Sequence, residues 1–326
     1  MTTTLITGAT TPLGSALAEA LLERNADARV LAVGLEREPL RLRSLGQRLS
    51  YVSADLTKER EIRDLVFGPA RNLAVSSVLH GAHHRSAHDT GPHVHALNVE
   101  STRTLLDLLE RHPSVRRFVF VSHADVYRID PARAVLVSER DPLDLSPDSP
   151  QRVRDRVEAD LTVCARMGLG RLQIAVLRCS EVLAPDSGSQ LFDYLSSRVC
   201  LRPLGFDPML NLLSLQDAVS AQIAAIDSDA IGVVNIAGLD TLPLSRAIEL
   251  SGRWALALPG ALLAPLYRVR ASALGMEFRY DMNYRRFHFG TVLDGRRAKD
   301  VLGYEPRSGI DWAAQRASWA ARNTSM

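Results

Sequence analysis

The segment TLITGATTPLG, residues 4–14, reads as an apolar strand that enters a glycine turn and then a helix. Gly8 permits the tight turn, and Gly14 lets the following helix pack closely against the strand. Pro12 suits the first helical position, where its missing N–H is no loss to the helix. The segment therefore predicts one strand–turn–helix unit at the start of the chain.

The same unit recurs along the chain. Short apolar runs precede amphipathic segments of ten residues or more at residues 2–7, 30–33, 49–54, 77–81, 117–122 and 174–178. Such alternation requires crossover connections, so it predicts an α/β protein with a doubly wound, mainly parallel sheet. The length of 326 residues, 46% of them hydrophobic, allows a large core. Gly8, Gly81, His123 and Ser180 should then lie at the carboxyl ends of strands, where such sheets bind ligands.

Several segments, in order, resemble the extended short-chain dehydrogenase/reductases, the family of NAD-dependent epimerases and dehydratases. They are residues 4–14, 54–56 (Ala-Asp-Leu), 78–82, 98–102, 117–127, 149–161, 177–185 and 213–218. The resemblance implies a Rossmann-type domain at residues 1–178. It also implies a smaller substrate-type domain at residues 179–326, with some segments returning to the main sheet.

The resemblance also implies a site for NAD or NADP. Its contacts would be Gly8, Thr10, Thr11, Pro12, Leu13, Gly14, Arg37, Asp55, Leu56, Gly81, Ala82 and Arg156. The turn departs from the family pattern, because Thr11 replaces the middle glycine and Pro12 has no N–H for a phosphate. We expect weakened binding, with a plain strand-to-helix connection and an empty or differently filled pocket as the alternative. Arg37 slightly favours NADP unless it is an ordinary surface charge.

The catalytic positions of the family are all replaced. The resemblance places His123 at the Ser/Thr position, Arg152 at the catalytic Tyr and Arg156 at the Lys. An arginine stays protonated at working pH, so Arg152 cannot exchange a proton as a phenol does. His123 could act as acid or base near neutral pH. Tyr127 is the fallback, although the family pattern makes it a pocket-wall residue.

Arg152 and Arg156 lie four residues apart and should share one helix face. Two guanidinium groups in one pocket predict a site for a phosphate or carboxylate. The alternative is a closed pocket, or a rotated helix, that leaves both arginines solvated or salt-bridged.

Residues 80–95 hold six of the nine histidines: His80, His83, His84, His88, His93 and His95. Histidine is a common metal ligand, but no acidic or cysteine partner has clear ligand spacing and only Asp89 lies close. We expect no metal and interpret the segment as a mobile, polar loop at the mouth of the cleft.

Composition adds few constraints. The net charge of +2 comes without a basic, aromatic-interleaved run, so nucleic acid is not an expected partner. Cys164, Cys179 and Cys200 lack metal spacing and no signal peptide precedes Thr4, which favours a cytoplasmic protein with reduced thiols. The apolar stretch 254–266 is interrupted by Pro and Gly and is too short to span a bilayer. We interpret it as a wall of the substrate pocket or a partner surface.

Two hypotheses about function remain open. The first is a binding or regulatory protein, a pseudoenzyme with a pocket for a nucleotide, a nucleotide sugar or a small anion. The second is an NAD(P)-dependent epimerase, dehydratase or reductase that uses His123 or Tyr127. The helices expected at residues 94–111 and 149–167 form the dimer bundle in relatives, so a homodimer, or a heterodimer with an active homologue, is a further hypothesis.

Overall fold

The computed structural model describes residues 2–324, with side chains described up to residue 321. Within these residues the strands are, in chain order, β1 (Thr3–Thr7), β2 (Arg29–Gly34), β3 (Leu49–Ser53), β4 (Ser77–His80), β5 (Arg117–His123), β6 (Leu136–Val137), β7 (Gln173–Cys179), β8 (Glu181–Val182), β9 (Val199–Pro203), β10 (Met209–Leu213), β11 (Gly232–Ile236), β12 (Asp240–Pro243), β13 (Trp254–Leu258) and β14 (Val292–Leu293). The helices are α1 (Pro12–Arg24), α2 (Glu59–Leu65), α3 (Pro92–His95), α4 (Ser101–Leu109), α5 (Gln151–Cys164), α6 (Gln190–Leu195), α7 (Leu215–Asp227), α8 (Leu244–Leu250), α9 (Gly260–Leu274), α10 (Tyr280–Phe289), α11 (Arg296–Leu302) and α12 (Trp312–Thr324).

A seven-stranded parallel sheet forms the centre, in the order β11-β7-β5-β4-β1-β2-β3. Every pair is parallel, so each connection must cross over one face of the sheet, and helices occupy most of these crossovers. The chain moves outward from β1 through β2 to β3 and then returns to β4 on the other side of β1. The doubly wound parallel sheet predicted from the sequence is therefore confirmed.

The alternation of side chains along the strands supplies two cores, one on each face. Leu5 of β1 and Phe118 of β5 point into a core with helices α2, α4 and α5. Their neighbours Ile6 and Val119 point into the opposite core with helices α1 and α7. Successive side chains of a strand face opposite sides, so strands covered on both faces must be apolar throughout.

The strand order reverses between β1 and β4, and this switch point is where a doubly wound sheet leaves a crevice at its carboxyl edge. Gly8 follows β1, and Gly81 follows β4. His123 ends β5, and Ser180 follows β7. The structure thus brings four loops from distant parts of the sequence to one edge.

The chain after residue 178 contributes to two places. Strand β11 extends the central sheet beside β7, and helix α7 covers one face of that sheet. Other segments build a separate core around large aromatic side chains, which are Phe192, Tyr194, Tyr267, Phe278, Phe287 and Trp319. The small sheets β12-β10-β8 and β13-β9 belong to this part of the chain. The boundary at residue 178 stays a prediction.

Candidate cofactor and substrate site

The two outer glycines of the first turn are required by close backbone contacts. Gly8 has a φ of 71°, and a Cβ there would lie 3.0 Å from the carbonyl oxygen of Gly81. A Cβ on Gly14 would lie 2.3 Å from the carbonyl oxygen of Gly8. Contacts this short would force the backbone to shift, so both positions need glycine for the turn and for the approach of β4.

At the start of helix α1, Thr11 and Pro12 differ from a phosphate-binding turn in the amide groups that they leave free. The Thr11 hydroxyl donates to the carbonyl of Gly8 (2.8 Å) and accepts from the amide of Gly14 (3.0 Å), so Thr11 caps helix α1. The Thr11 amide itself donates to Gly8, and Pro12 has no amide hydrogen. Across residues 11–14, all of them described, only the Leu13 amide has no internal acceptor. Between Thr11 and Gly14 one donor is thus left, where the helix start of a dinucleotide fold presents several.

A cavity of about 320 Å³ lies at the carboxyl edge of the sheet. Of the residues predicted as contacts or catalytic candidates, those that line it are Gly8, Thr11, Leu13, Gly14, Gly81, His123, Tyr127, Arg152 and Arg156. The rest of its wall is formed by His83 and Arg85 after β4 and by the segments 187–190 and 281–286. Arg37, Asp55 and Leu56 lie outside this cavity, as do Thr10, Pro12 and Ala82. The structure therefore brings together the residues of the glycine turn and the residues predicted at the catalytic positions.

On the adenine side of the predicted site, the Asp55 carboxylate is held by residues close to it in sequence. The Asp55 carboxylate accepts from the amide (3.0 Å) and hydroxyl (2.6 Å) of Thr57 and lies 3.3 Å from Nζ of Lys58. Burial opposes its ionisation, but these hydrogen bonds and the Lys58 charge lower its pKa overall. Gly34 ends β2, where a carboxylate would bind a ribose, and a Cβ there would lie 2.7 Å from the Thr10 side chain. Arg37 is exposed beyond that strand end.

Arg152, which the resemblance places at the catalytic Tyr, is buried and bridges two loops. Its two terminal nitrogens donate to the carbonyl of Arg85 (2.7 Å) and to the carbonyl of Gly188 (2.7 Å). Only 9% of the residue is exposed. Burial and the nearby charge of Arg156 lower the pKa of Arg152 to about 9, so it remains a cation at neutral pH. The guanidinium joins two walls of the cavity.

Arg156, one turn further along helix α5, forms an ion pair with Asp125. Its side chain is 11% exposed, and the second carboxylate oxygen of Asp125 is buried without a hydrogen-bond partner among the described residues. The two arginines share a helix face and line one cavity, as the spacing predicts. Arg156 is salt-bridged and Arg152 holds two carbonyls, so both guanidinium groups already have protein partners.

His123 and His83 meet edge to face, with their ring centres 4.8 Å apart. Nδ1 of His83 donates to the carbonyl of Gly81 (3.0 Å), so its Nε2 is an acceptor. Burial, and then the charge of Arg156, lowers the pKa of His83 to about 3 and holds the pKa of His123 well below its ordinary value. Nε2 of each ring is buried without a partner among the described atoms, beside a void of about 20 Å³. Both imidazoles are therefore neutral at neutral pH, and the expectation that His123 titrates near neutral pH is wrong.

Tyr127 belongs to a buried hydrogen-bonded chain. Its hydroxyl donates to Oδ1 of Asn235 (2.6 Å) and accepts from the Arg178 guanidinium (3.1 Å). Burial raises the pKa of Tyr127 to about 12. The Arg178 guanidinium is held in turn by the Asp160 carboxylate at 2.6 and 3.0 Å. The Tyr127 phenol is thus fully engaged and not poised for proton exchange.

Sequence reasoning did not assign roles to Asp160, Arg178 or Asn235. The one available signal was spacing, since Asp160 lies two turns of helix after Arg152 on the same face. Its partner Arg178 lies on β7, and Asn235 lies on β11, so neither contact has a local pattern.

The histidine-rich segment does not act as one loop. His80 ends β4, is fully buried and lies between the hydroxyls of Thr7 (2.7 Å) and Thr102 (2.9 Å). Nδ1 of His95 contacts the buried Asp155 carboxylate at 3.0 Å, while Nε2 of His88 contacts the Met276 carbonyl at 2.8 Å. Among the residues that the structure describes, no group of three or more His, Cys, Asp or Glu side chains could hold a metal ion.

A doubly wound parallel sheet with a glycine turn and a cavity at its switch point defines a dinucleotide-binding type of α/β fold. The model of the NAD dependent epimerase/dehydratase family matches residues 4–237, and the chain belongs to this family.

Curated and solved relatives agree with this assignment. The uncharacterized protein Rv0501 of Mycobacterium tuberculosis (strain H37Rv) is 30% identical over 308 residues, which are 93% of this chain and 80% of that protein. A dTDP-glucose 4,6-dehydratase from Bacillus anthracis, solved with NAD, gives a TM-score of 0.73 at 17% identity over 100% of this chain and 98% of its own. A UDP-glucuronic acid 4-epimerase from Bacillus cereus, solved with UDP-glucuronic acid and NAD, gives a TM-score of 0.73 at 18% identity. The match covers 99% of this chain and 100% of that protein. At such identities the solved structures establish the fold.

Proposed function

We propose that the chain is a ligand-binding or regulatory member of its family that has lost proton-coupled hydride transfer. Its ligand would be a dinucleotide, a nucleotide sugar or another anionic small molecule at the carboxyl edge of the sheet. One observation carries the proposal. Arg152, at the position of the catalytic phenol, is a buried cation whose two terminal nitrogens hold the carbonyls of Arg85 and Gly188.

The site fits a dinucleotide in its phosphate half. Gly8 and Gly14 keep the close turn, and the Leu13 amide is free to donate to a phosphate oxygen. Arg156 lies where a ribose hydroxyl would be held, although Asp125 now shares its guanidinium. A bound nicotinamide cofactor would supply hydride chemistry. The residues here would position it weakly, and Arg152 and Arg156 could not exchange the accompanying proton.

The charge of the cavity also bears on the ligand. The arginines of its lining are Arg85, Arg152, Arg156, Arg285 and Arg286, and the carboxylates are Asp125, Asp144, Asp148, Glu181 and Asp281. Arg286 is ion-paired with Glu181, as Arg156 is with Asp125. Because opposite charges balance, an anion would have to be bound by specific hydrogen bonds and not by a net positive field.

A specific observation on two histidines supports a second candidate function. Nε2 of His83 and Nε2 of His123 are buried and have no hydrogen-bond partner among the described residues, and both rings lie on the cavity wall. A neutral imidazole can accept a proton from a substrate hydroxyl. An epimerase, dehydratase or reductase that uses His123 as its base is therefore the alternative.

An assay of turnover separates the two functions. We expect no product from dTDP-glucose or UDP-glucuronic acid, and no change in nicotinamide absorbance, because Arg152 and Arg156 cannot exchange the proton that accompanies hydride transfer. Product formation should be followed by chromatography as well, since an epimerase shows no net redox change. Dinucleotide binding is measured on the same preparation, so that lost binding is not mistaken for lost chemistry.

The variants His123→Ala and Tyr127→Phe complete that assay. Turnover that disappears in His123→Ala but survives in Tyr127→Phe would overturn the proposal and make His123 the base. Turnover that disappears only in Tyr127→Phe would assign the chemistry to the phenol.

Restoring the turn should restore affinity. In the double variant Thr11→Gly/Pro12→Ala we expect NAD or NADP to bind about tenfold more tightly, because one new amide can donate to a phosphate and the Thr11 side chain no longer fills the turn. Calorimetry measures the change, with Pro92→Ala as the matched control at the start of another helix. Sub-micromolar binding by the unmodified chain would contradict the damaged-turn interpretation.

We also propose that helices α4 and α5 form a dimer face, in a homodimer or with an active homologue. The two helices pack side by side, and an ion pair between Arg103 and Glu158 (3.4 Å) joins their outer surfaces. Leu161 of α5 is 43% exposed there. An apolar side chain exposed on a helix pair is consistent with a covered face.

A further inference from the structure

The apolar stretch 254–266, expected to be a wall of the substrate pocket or a partner surface, does not line the cavity. It forms strand β13 and the first half of helix α9, and neither element contributes to the lining of the cavity. No helix in the described part of the chain has the length and apolarity needed to cross a bilayer. The stretch instead lies on the outside of the C-terminal part of the molecule.

Strand β13 exposes large side chains. It pairs in parallel with β9, with Trp254 beside Val199 and Leu256 beside Leu201. Trp254 is 79% exposed and Leu256 is 48% exposed. Residues two apart on a strand share a face, so these two side chains point to the same side of the small sheet.

Helix α9 has an apolar stripe on its outer side. Its buried contacts are made by Leu263 and Tyr267, whose hydroxyl accepts from the Leu201 amide (3.1 Å) and thereby fixes the helix to β9. Leu262, Leu266 and Val269 follow at the spacing of one helix face and are 49%, 40% and 64% exposed. A helix that only covered a core would carry polar residues at these positions.

The charges of this surface have one sign. Between Glu249 and Glu277 the sequence contains Arg253, Arg268 and Arg270 but no acidic residue. Arg198, just before β9, and Arg202, on β9, add two more cations. Glu249 is ion-paired with Arg246, and Glu277 accepts from the Ser86 hydroxyl. Exposed apolar side chains therefore stand among arginines without carboxylates between them.

We propose that β13 and the outer face of α9 dock this protein on an anionic lipid surface. Tryptophan and aliphatic side chains beside arginines suit the boundary between head groups and acyl chains. Arginines near the bilayer are attracted to anionic head groups. A second copy of this chain fits less well, because a two-fold contact would bring the same cationic patch against itself.

The test measures co-sedimentation of the full chain with vesicles. We expect binding to phosphatidylcholine vesicles that contain phosphatidylglycerol, little binding to pure phosphatidylcholine, and release by salt. Leu266→Gln/Val269→Gln should weaken binding by about tenfold or more, since two apolar side chains lose their burial in lipid. Arg198→Gln/Arg268→Gln should remove the preference for anionic vesicles.

A matched control and a second readout keep the test decisive. Leu169 is 77% exposed on another surface, and Leu169→Gln should bind vesicles as the unmodified chain does. Vesicles should shift the tryptophan emission to the blue, and Trp254→Phe should abolish that shift. Each variant is first shown to melt as the unmodified chain does.

Three results would overturn the proposal. They are no sedimentation with anionic vesicles, vesicle binding that both double variants leave unchanged, and a dimer in solution that Leu266→Gln/Val269→Gln dissociates. The last result would assign the surface to a second copy of this chain.

Discussion

Replacing Asp160 with alanine is expected to lower the free energy of unfolding by about 3–5 kcal/mol, because it leaves a buried cation without its partner. The Asp160 side chain is fully buried, and Arg178 beside it is 5% exposed. The carboxylate accepts from two nitrogens of Arg178 and from the Ser122 hydroxyl (2.6 Å). Urea unfolding of the purified variant measures the loss.

The matched control for that prediction is Asp107→Ala, which breaks the ion pair between Asp107 and Arg166. Asp107 is 49% exposed there. Screening by water limits the expected loss in this control to less than about 1 kcal/mol. Equal losses in the two variants would contradict the role given to the buried pair.

The Asp160 variant also tests the account of Tyr127. Asp160 holds Arg178, and Arg178 donates to the Tyr127 hydroxyl, so the phenol is fixed by a carboxylate it does not touch. A phenol released from this chain would titrate differently, and absorbance of tyrosinate at high pH measures the change.

Acid should destabilise the fold through His80, by on the order of 3 kcal/mol, as the pH falls from about 6.5 to about 4. Burial lowers the pKa of His80 to about 4. The unfolded chain therefore binds a proton in this range that the native state does not bind. Stability rises with pH where the unfolded state binds more protons, so this contribution is complete above pH 6.5 and is lost toward pH 4.

The hydrogen bonds around His80 fix the neutral form of its ring. Thr102 donates its only hydroxyl hydrogen to the carbonyl of Asn98 (3.0 Å), so it accepts from Nε2 of His80. The Thr7 hydroxyl accepts from the amides of Gly81 and Ala82 and donates to Nδ1 of His80. A second proton on the ring would face a hydroxyl that already has its full set of partners.

The variant His80→Gln tests this assignment. Glutamine keeps a donor and an acceptor but does not titrate, so its unfolding free energy should fall less between pH 6.5 and 4 than that of the unmodified chain. His83 and His123 also have lowered pKa values and remain in both proteins, so the difference isolates His80. An equal fall in unfolding free energy with pH in the two proteins would contradict the prediction.

The sequence by itself determined the architecture and the replacements at the site. Apolar runs and helical periods are local patterns, and they predicted the central strands β1 to β5 and β7 as well as the crossovers between them. The turn at residues 8–14 is likewise a local pattern, and the resemblance to the family implied the positions of His123, Arg152 and Arg156. These features could be predicted because each depends on residues a few places apart.

Tertiary structure alone decided what the replaced residues do. Arg152 holds carbonyls at residues 85 and 188, and Tyr127 contacts Asn235 across 108 residues of sequence. Whether Arg156 met an anion or Asp125, and whether residues 254–266 lined a pocket or an outer surface, depended on the packing of separate segments. Composition and periodicity specify which side of a helix or strand is apolar. Only the folded chain determines which side chains pack against that side, because they come from distant parts of the sequence.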